Sequence, residues 1–90
     1  MSRVVLTKWD SIMFYTYILR LRNNKYYAGY SSNLRKRVHK HKKGEVKATK
    51  DFLPVELEFY AAFKNRELAT SFEKYLKSSS GFAFRNKHLL

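Results

Sequence analysis

Residues 14–30, reading FYTYILRLRNNKYYAGY, decide how this chain folds. From Phe14 to Leu21 the residues alternate as a strand does. Tyr15, Tyr17, Leu19 and Leu21 take one side, and Phe14, Thr16, Ile18 and Arg20 the other. Arg22 to Lys25 then predicts a tight hairpin turn, because Asn23 and Asn24 tolerate positive φ. The returning strand, Tyr26 to Tyr30, is short. The hairpin brings Tyr17 and Tyr27 close to each other on neighbouring strands.

Working outward, Ser31 or Ser32 can cap a helix from about Asn33 to Lys43, which Gly44 stops with Lys40, Lys42 and Lys43 in its last turn. Its apolar stripe is only Leu34 and Val38. Wound at ~100° per residue, Arg37 and His41 fall together on one flank of that stripe, while Lys36, Lys40 and Lys43 point outward. A basic connection from Glu45 to Leu53, with Lys47 and Lys50, is expected to be partly helical and to stop at Pro54. Val55, Leu57, Phe59, Ala61 and Phe63 then alternate with Glu56, Glu58, Tyr60, Ala62 and Lys64, a third strand with one buried face. Asn65 caps a helix over 66–77 whose core stripe is Leu68, Ala69, Phe72, Tyr75 and Leu76, with Glu73 on its border. Ser78 to Gly81 marks a break before a short helix or packed tail carrying Phe82, Phe84 and Leu89. Residues 1–12 read as an N-terminal extension without clear periodicity, ahead of a domain over 13–90; Met13 is a conceivable start. The fold class that follows is α/β: a small three-stranded antiparallel sheet flanked by helices, in the order β-β-α-β-α-α.

Ninety residues make one small domain, and seven Tyr, seven Phe and one Trp supply a compact aromatic core. The chain has no Cys, which excludes disulfides, thiolate zinc sites and a thiol nucleophile, and fits a reducing cytoplasm. Nineteen Lys and Arg against seven acids leave a formal charge of +12, and the usual partner of so basic a surface is nucleic acid. A ribosome-associated or RNA-binding protein would carry the same charge. No long apolar run or basic amphipathic anchor points to a membrane, and Val4-Val5-Leu6, interrupted by Lys8, is too short for a signal peptide.

Phosphodiester hydrolysis requires a nucleophilic water, a base to take its proton, positive charge for the transition state and a means of neutralising the leaving oxygen. Glu73 offers a hard oxygen for Mg²⁺, which keeps most of its waters. Arg37 offers a planar fork for phosphoryl charge. Tyrosine is a poor base at its ordinary pKa of about 10, but cationic neighbours make its phenolate accessible. Each residue also has a plainer reading. Strand tyrosines usually pack half-buried, and a glutamate on a helix border usually pairs with a lysine. His39 and His41, two apart on a helix, do not face each other and make no zinc pair.

Taken together, the motifs resemble the GIY-YIG nuclease superfamily, especially its small bacterial members. The matches are Tyr27-Ala28-Gly29 followed by Tyr30 to Arg37, the segment Gly44 to Lys50, Pro54 leading into the third strand, and Glu73 to Lys77. The first motif is degenerate: Tyr15-Thr16-Tyr17 stands for Gly-Ile-Tyr and keeps only its last residue. The resemblance, from about Phe14 to Leu89, implies that Tyr27 is the general base or orienter of the attacking water, with Tyr17 assisting. It further implies that Arg37 binds the scissile phosphate, that His41 assists proton transfer or holds that phosphate, and that Glu73 binds one Mg²⁺ or Mn²⁺. A C-terminal polar residue of the family has Asn86 as its nearest counterpart. Gly29 is read as a place where backbone approaches the phosphate or turns sharply into the helix. The lysines at 36, 40, 43, 47 and 50 would grip DNA backbone without reading bases. The expected protein is a Mg-dependent endonuclease acting on DNA, largely without sequence preference, in repair or the processing of branched or damaged DNA, and without a small-molecule cofactor. The alternative is a non-catalytic nucleic-acid-binding module that keeps the fold.

Overall fold

The hairpin turns at Asn24, whose φ of 63° lies in the left-handed region that asparagine tolerates. Asn24 N–H donates to the Leu21 carbonyl at 2.9 Å and Leu21 N–H to that of Lys25 at 2.8 Å. In the computed structural model, which describes residues 13–90, this turn joins β1 (Phe14–Arg20) to β2 (Tyr26–Ser31). There follow α1 (Leu34–Lys42), a short 3₁₀ turn (Lys50–Phe52), β3 (Glu56–Phe63), α2 (Arg66–Lys77) and α3 (Ser79–His88). The expected N-terminal extension lies outside the described residues.

The sheet is antiparallel with the order β2-β1-β3, so β1 is central. Both of its faces are covered: Thr16, Tyr17, Ile18 and Leu19 are fully buried. On one face Tyr17, Leu19, Leu21 and Val55 pack with Tyr27, Leu34, Leu53 and Leu57. On the other, Ile18, Ala28 and Leu76 pack with Tyr26, Phe59, Phe72 and Leu89. Helix α1 therefore serves the first face and α2 the second.

The third strand does not present one apolar face. The pairing of β1 with β3 shifts between Ile18 and Leu19, so Leu57 stands opposite Leu19 and Phe59 opposite Ile18. Glu58 is the extra residue of a bulge, and Leu57 and Phe59 consequently enter different clusters.

Helix ends follow local hydrogen bonds. Asn33, rather than Ser31 or Ser32, caps α1, its Oδ1 accepting from Lys36 N–H at 3.1 Å. Ser31 Oγ accepts from Asn33 N–H at 2.9 Å and so shapes the turn before the cap. Gly44, at φ 78°, ends the helix and donates its N–H to the His41 carbonyl at 3.0 Å. Asn65 caps α2, accepting from Leu68 N–H at 2.8 Å.

Two expectations for the C-terminal helices need correction. Leu68 and Tyr75 are 53% and 41% exposed, because a sheet three strands wide is covered by the narrower stripe of Ala69, Phe72 and Leu76. The serine run opens α3 instead of forming a long break. Ser78 Oγ accepts from Gly81 N–H at 3.1 Å, and Gly81 lies so close to the Tyr75 carbonyl that a Cβ would overlap it. Phe82 and Phe84 point outward, and Arg85 turns inward with its guanidinium 4.3 Å from the Phe82 ring centre.

Candidate active site

Tyr17 pairs with Gly29 across β1 and β2, and Tyr27 pairs with Leu19 two residues along the same face. Both phenols therefore lean toward α1, and His41 reaches up between them. Its ring centre is 5.5 Å from that of Tyr17 and 5.4 Å from that of Tyr27. A Cβ at Gly29 would collide with the hydroxyl and Cζ of Tyr17. Glycine is needed at this position to make room for a tyrosine side chain, a steric reason set by a partner on the neighbouring strand.

Behind the phenol lies a buried polar chain. Tyr17 Oη and His41 Nε2 are 2.7 Å apart, and His41 Nδ1 and Thr49 Oγ1 are 2.8 Å apart. All three residues are fully buried. The Arg37 guanidinium lies close enough to the Tyr17 hydroxyl to favour its ionised form. A neutral imidazole donates from one ring nitrogen and accepts at the other, so the three groups form one continuous chain of hydrogen bonds from Tyr17 to Thr49.

Burial, reinforced by the neighbouring Arg37 charge, lowers the His41 pKa to about 4, so the imidazole is neutral at pH 7 and free to accept. Burial raises the Tyr17 pKa, and the nearby Arg37 guanidinium opposes it. The negative forms of Tyr27 and Glu73 raise it further, which places both groups within electrostatic reach of this hydroxyl. Tyr17, Tyr27, Arg37 and Glu73 thus gather around one locality, although they come from β1, β2, α1 and α2.

Tyr27 and Glu73 form the more open side. Both are partly buried. Lys77 Nζ lies 3.0 Å from Glu73 Oε2 and 5.5 Å from the centre of the Tyr27 ring, so one ammonium touches both. Among the described residues no salt bridge involves Arg37, and its Nε is buried without a hydrogen-bond partner. A cationic fork held beside the phenols and not neutralised by a carboxylate suits an anionic ligand.

Ser31, Ser32, Asn33, Lys36, Arg37 and Lys40 line an adjoining groove of about 280 Å³. Lys36 and Lys40 of the expected DNA-gripping set border it. Lys43 instead pairs with Glu45 at 3.2 Å, and Lys47 and Lys50 are exposed outside the groove lining. Asn86 is exposed on α3, and His39 is exposed on α1.

No cluster of three or more His, Cys, Asp or Glu side chains suited to a metal occurs among the described residues. The donor set at Glu73 is one hard carboxylate oxygen pair. That fits Mg²⁺ or Mn²⁺ held mostly by water and substrate phosphate, and does not fit a cation needing a full protein cage.

Thr49 and Lys77 had no assigned role in the sequence, though both lie in stretches that carry the family resemblance. The sign of Lys77 was its i,i+4 spacing from Glu73. Thr49 gave none, since it meets His41 through a loop of irregular geometry.

A GIY-YIG catalytic domain model matches residues 13–87. The UPF0213 protein of Pediococcus pentosaceus is 40% identical over 79 residues, spanning 83% of this chain and 83% of the relative. That of Clostridium perfringens is 38% identical over 66 residues, 72% of this chain and 71% of the relative. A UPF0213 protein from Bacillus halodurans, solved by solution NMR, superimposes with a TM-score of 0.54 at 28% identity, over 84% of each chain. With the fold, the tyrosine pair and these likenesses in agreement, the chain belongs to the GIY-YIG nuclease-domain family, among its small bacterial UPF0213 members.

Proposed function

We propose that this protein is a divalent-metal-dependent endonuclease that hydrolyses DNA phosphodiester bonds with little sequence preference, in the bacterial cytoplasm, during repair or processing of branched or damaged DNA. The observation that carries the reading is the gathering of Tyr17, Tyr27, Arg37 and Glu73 beside a groove lined by Lys36 and Lys40. No helix among the described residues is long and apolar enough to cross a membrane.

Each residue then has a part. Glu73 would hold Mg²⁺ or Mn²⁺, which supplies Lewis-acid polarisation and a more acidic water when bound. Tyr27, on the open side, orients the attacking water and accepts its proton. Arg37 donates to the non-bridging phosphate oxygens, where charge grows in the transition state. Tyr17 is fully buried and acts from behind, keeping Arg37 aimed. His41, equally buried, does not reach the phosphate. It is a positioning residue that holds the Tyr17 hydroxyl at Nε2 while Thr49 holds the other end of its ring. Lys36 and Lys40 grip the flanking backbone.

The test is nicking of supercoiled plasmid. Expected is Mg²⁺- or Mn²⁺-dependent relaxation that EDTA, Glu73→Gln and Arg37→Ala each abolish. DNA binding without cleavage of nicked, branched, flapped or single-stranded DNA with either metal would instead show a binding module that has kept the fold.

A further inference from the structure

Glu73 already has a cation at its carboxylate. Lys77 lies one turn further along α2, and its Nζ is 3.0 Å from Glu73 Oε2. The order Glu then Lys at i and i+4 is the favourable one on a helix. The side chains are 21% and 50% exposed, so the carboxylate is the enclosed partner and the ammonium the mobile one, reaching it from the solvent side. The same ammonium lies over the Tyr27 ring, 5.5 Å from its centre.

An ordinary surface ion pair stabilises a helix slightly and does nothing else. This one differs in its place. Among the described residues, Glu73 is the sole carboxylate whose charge bears on the Tyr17 hydroxyl. Its Oε2 cannot accept a close ammonium and coordinate a divalent ion from the same direction, because two cations a few ångströms apart repel. Whatever binds at Glu73 must displace Lys77 or share the carboxylate at a Coulombic cost.

We propose that Lys77 and the divalent ion compete for the Glu73 carboxylate, so that Lys77 sets the cation concentration at which the site fills. This rests on the reading of Glu73 as the metal ligand. The ammonium neutralises the carboxylate while no metal is bound. Because the pair is half-exposed, it is weak enough to open when a divalent cation arrives. The displaced ammonium is then free, beside Tyr27, to meet a phosphate.

Mn²⁺ binding to the full chain without DNA tests this, followed by electron paramagnetic resonance of free Mn²⁺ and by calorimetry. Lys77→Met and Lys77→Gln should each bind Mn²⁺ about three- to tenfold more tightly than wild type, since a nearby positive charge is gone. Lys77→Arg, which keeps the charge, should stay near wild type. Glu73→Gln should lose the site. If Glu73→Gln loses Mn²⁺ while both neutral Lys77 variants bind as wild type or more weakly, the competition is overturned and Glu73 remains the ligand. If Glu73→Gln binds Mn²⁺ as wild type does, the ligand assignment fails and takes the competition with it. Far-UV circular dichroism of each variant confirms that α2 is intact.

Discussion

Tyr17 Oη and His41 Nε2 share a hydrogen bond of 2.7 Å between two side chains that no solvent reaches. The contact ties the central strand to the helix bearing Arg37, and burial favours the neutral imidazole. Folding therefore depends on pH. The folded pKa of about 4 is below the ordinary value of 6.5, so the unfolded chain binds more protons between them. The His41 contribution is complete above about pH 6.5 and is lost as pH falls through 4, worth up to ~3 kcal/mol. Urea midpoints measured from pH 7 to pH 4 should fall across that window, and the fall should be much shallower in His41→Gln.

Thr49→Val leaves His41 Nδ1 buried without its hydrogen-bond partner. The expected cost is ~1–3 kcal/mol in urea unfolding, with Thr49→Ser near wild type. Nicking should slow in Thr49→Val under conditions where it remains folded, and Thr49→Ser should restore the rate. Equal rates in all three proteins would remove Thr49 from the positioning chain.

Gly29→Ala pushes a methyl group into the Tyr17 phenol. Destabilisation of about 1–3 kcal/mol is expected, as for other overpacked sites. Combined with Tyr17→Phe, which removes the nearest atom, part of that loss should return. A double-mutant cycle on thermal unfolding would read this coupling, and strict additivity would refute the collision.

Tyr27→Phe removes one hydroxyl from the open side of the site. A fall of ~10²-fold or more in turnover is expected, with DNA affinity nearly unchanged. Full turnover in this variant would transfer the proton-accepting role elsewhere.

Lys40→Ala should weaken DNA binding uniformly across sequences and flatten the slope of log affinity against log salt by about one unit. Fluorescence anisotropy over a salt series measures it. An equal loss of rate at saturating DNA would place Lys40 with Arg37 in the chemistry.

Much of the fold was legible where local rules act alone. The Asn24 turn, the Asn65 cap, the 66–77 span of α2 and the border position of Glu73 all follow from φ preference, capping and helical period. The shared flank of Arg37 and His41 followed from the same period. What escaped depends on partners distant in sequence. His41 lies deeper than Leu34 or Val38 because Tyr17 and Thr49 satisfy both its nitrogens, and no helical wheel contains those residues. The exposure of Leu68 and Tyr75 reflects the narrow sheet, which the amphipathic pattern of α2 cannot reveal.

A single inserted residue, Glu58, lets one strand wall two compartments. Were it deleted, Leu57 and Phe59 would become neighbours in sequence, which a regular strand places on opposite faces, so each would keep its compartment and only the bulge would go. Loss of Tyr60 would instead turn either Phe59 or Ala61 and Phe63 to the wrong side. A one-residue loss from the outer strand should therefore be best tolerated at Glu58.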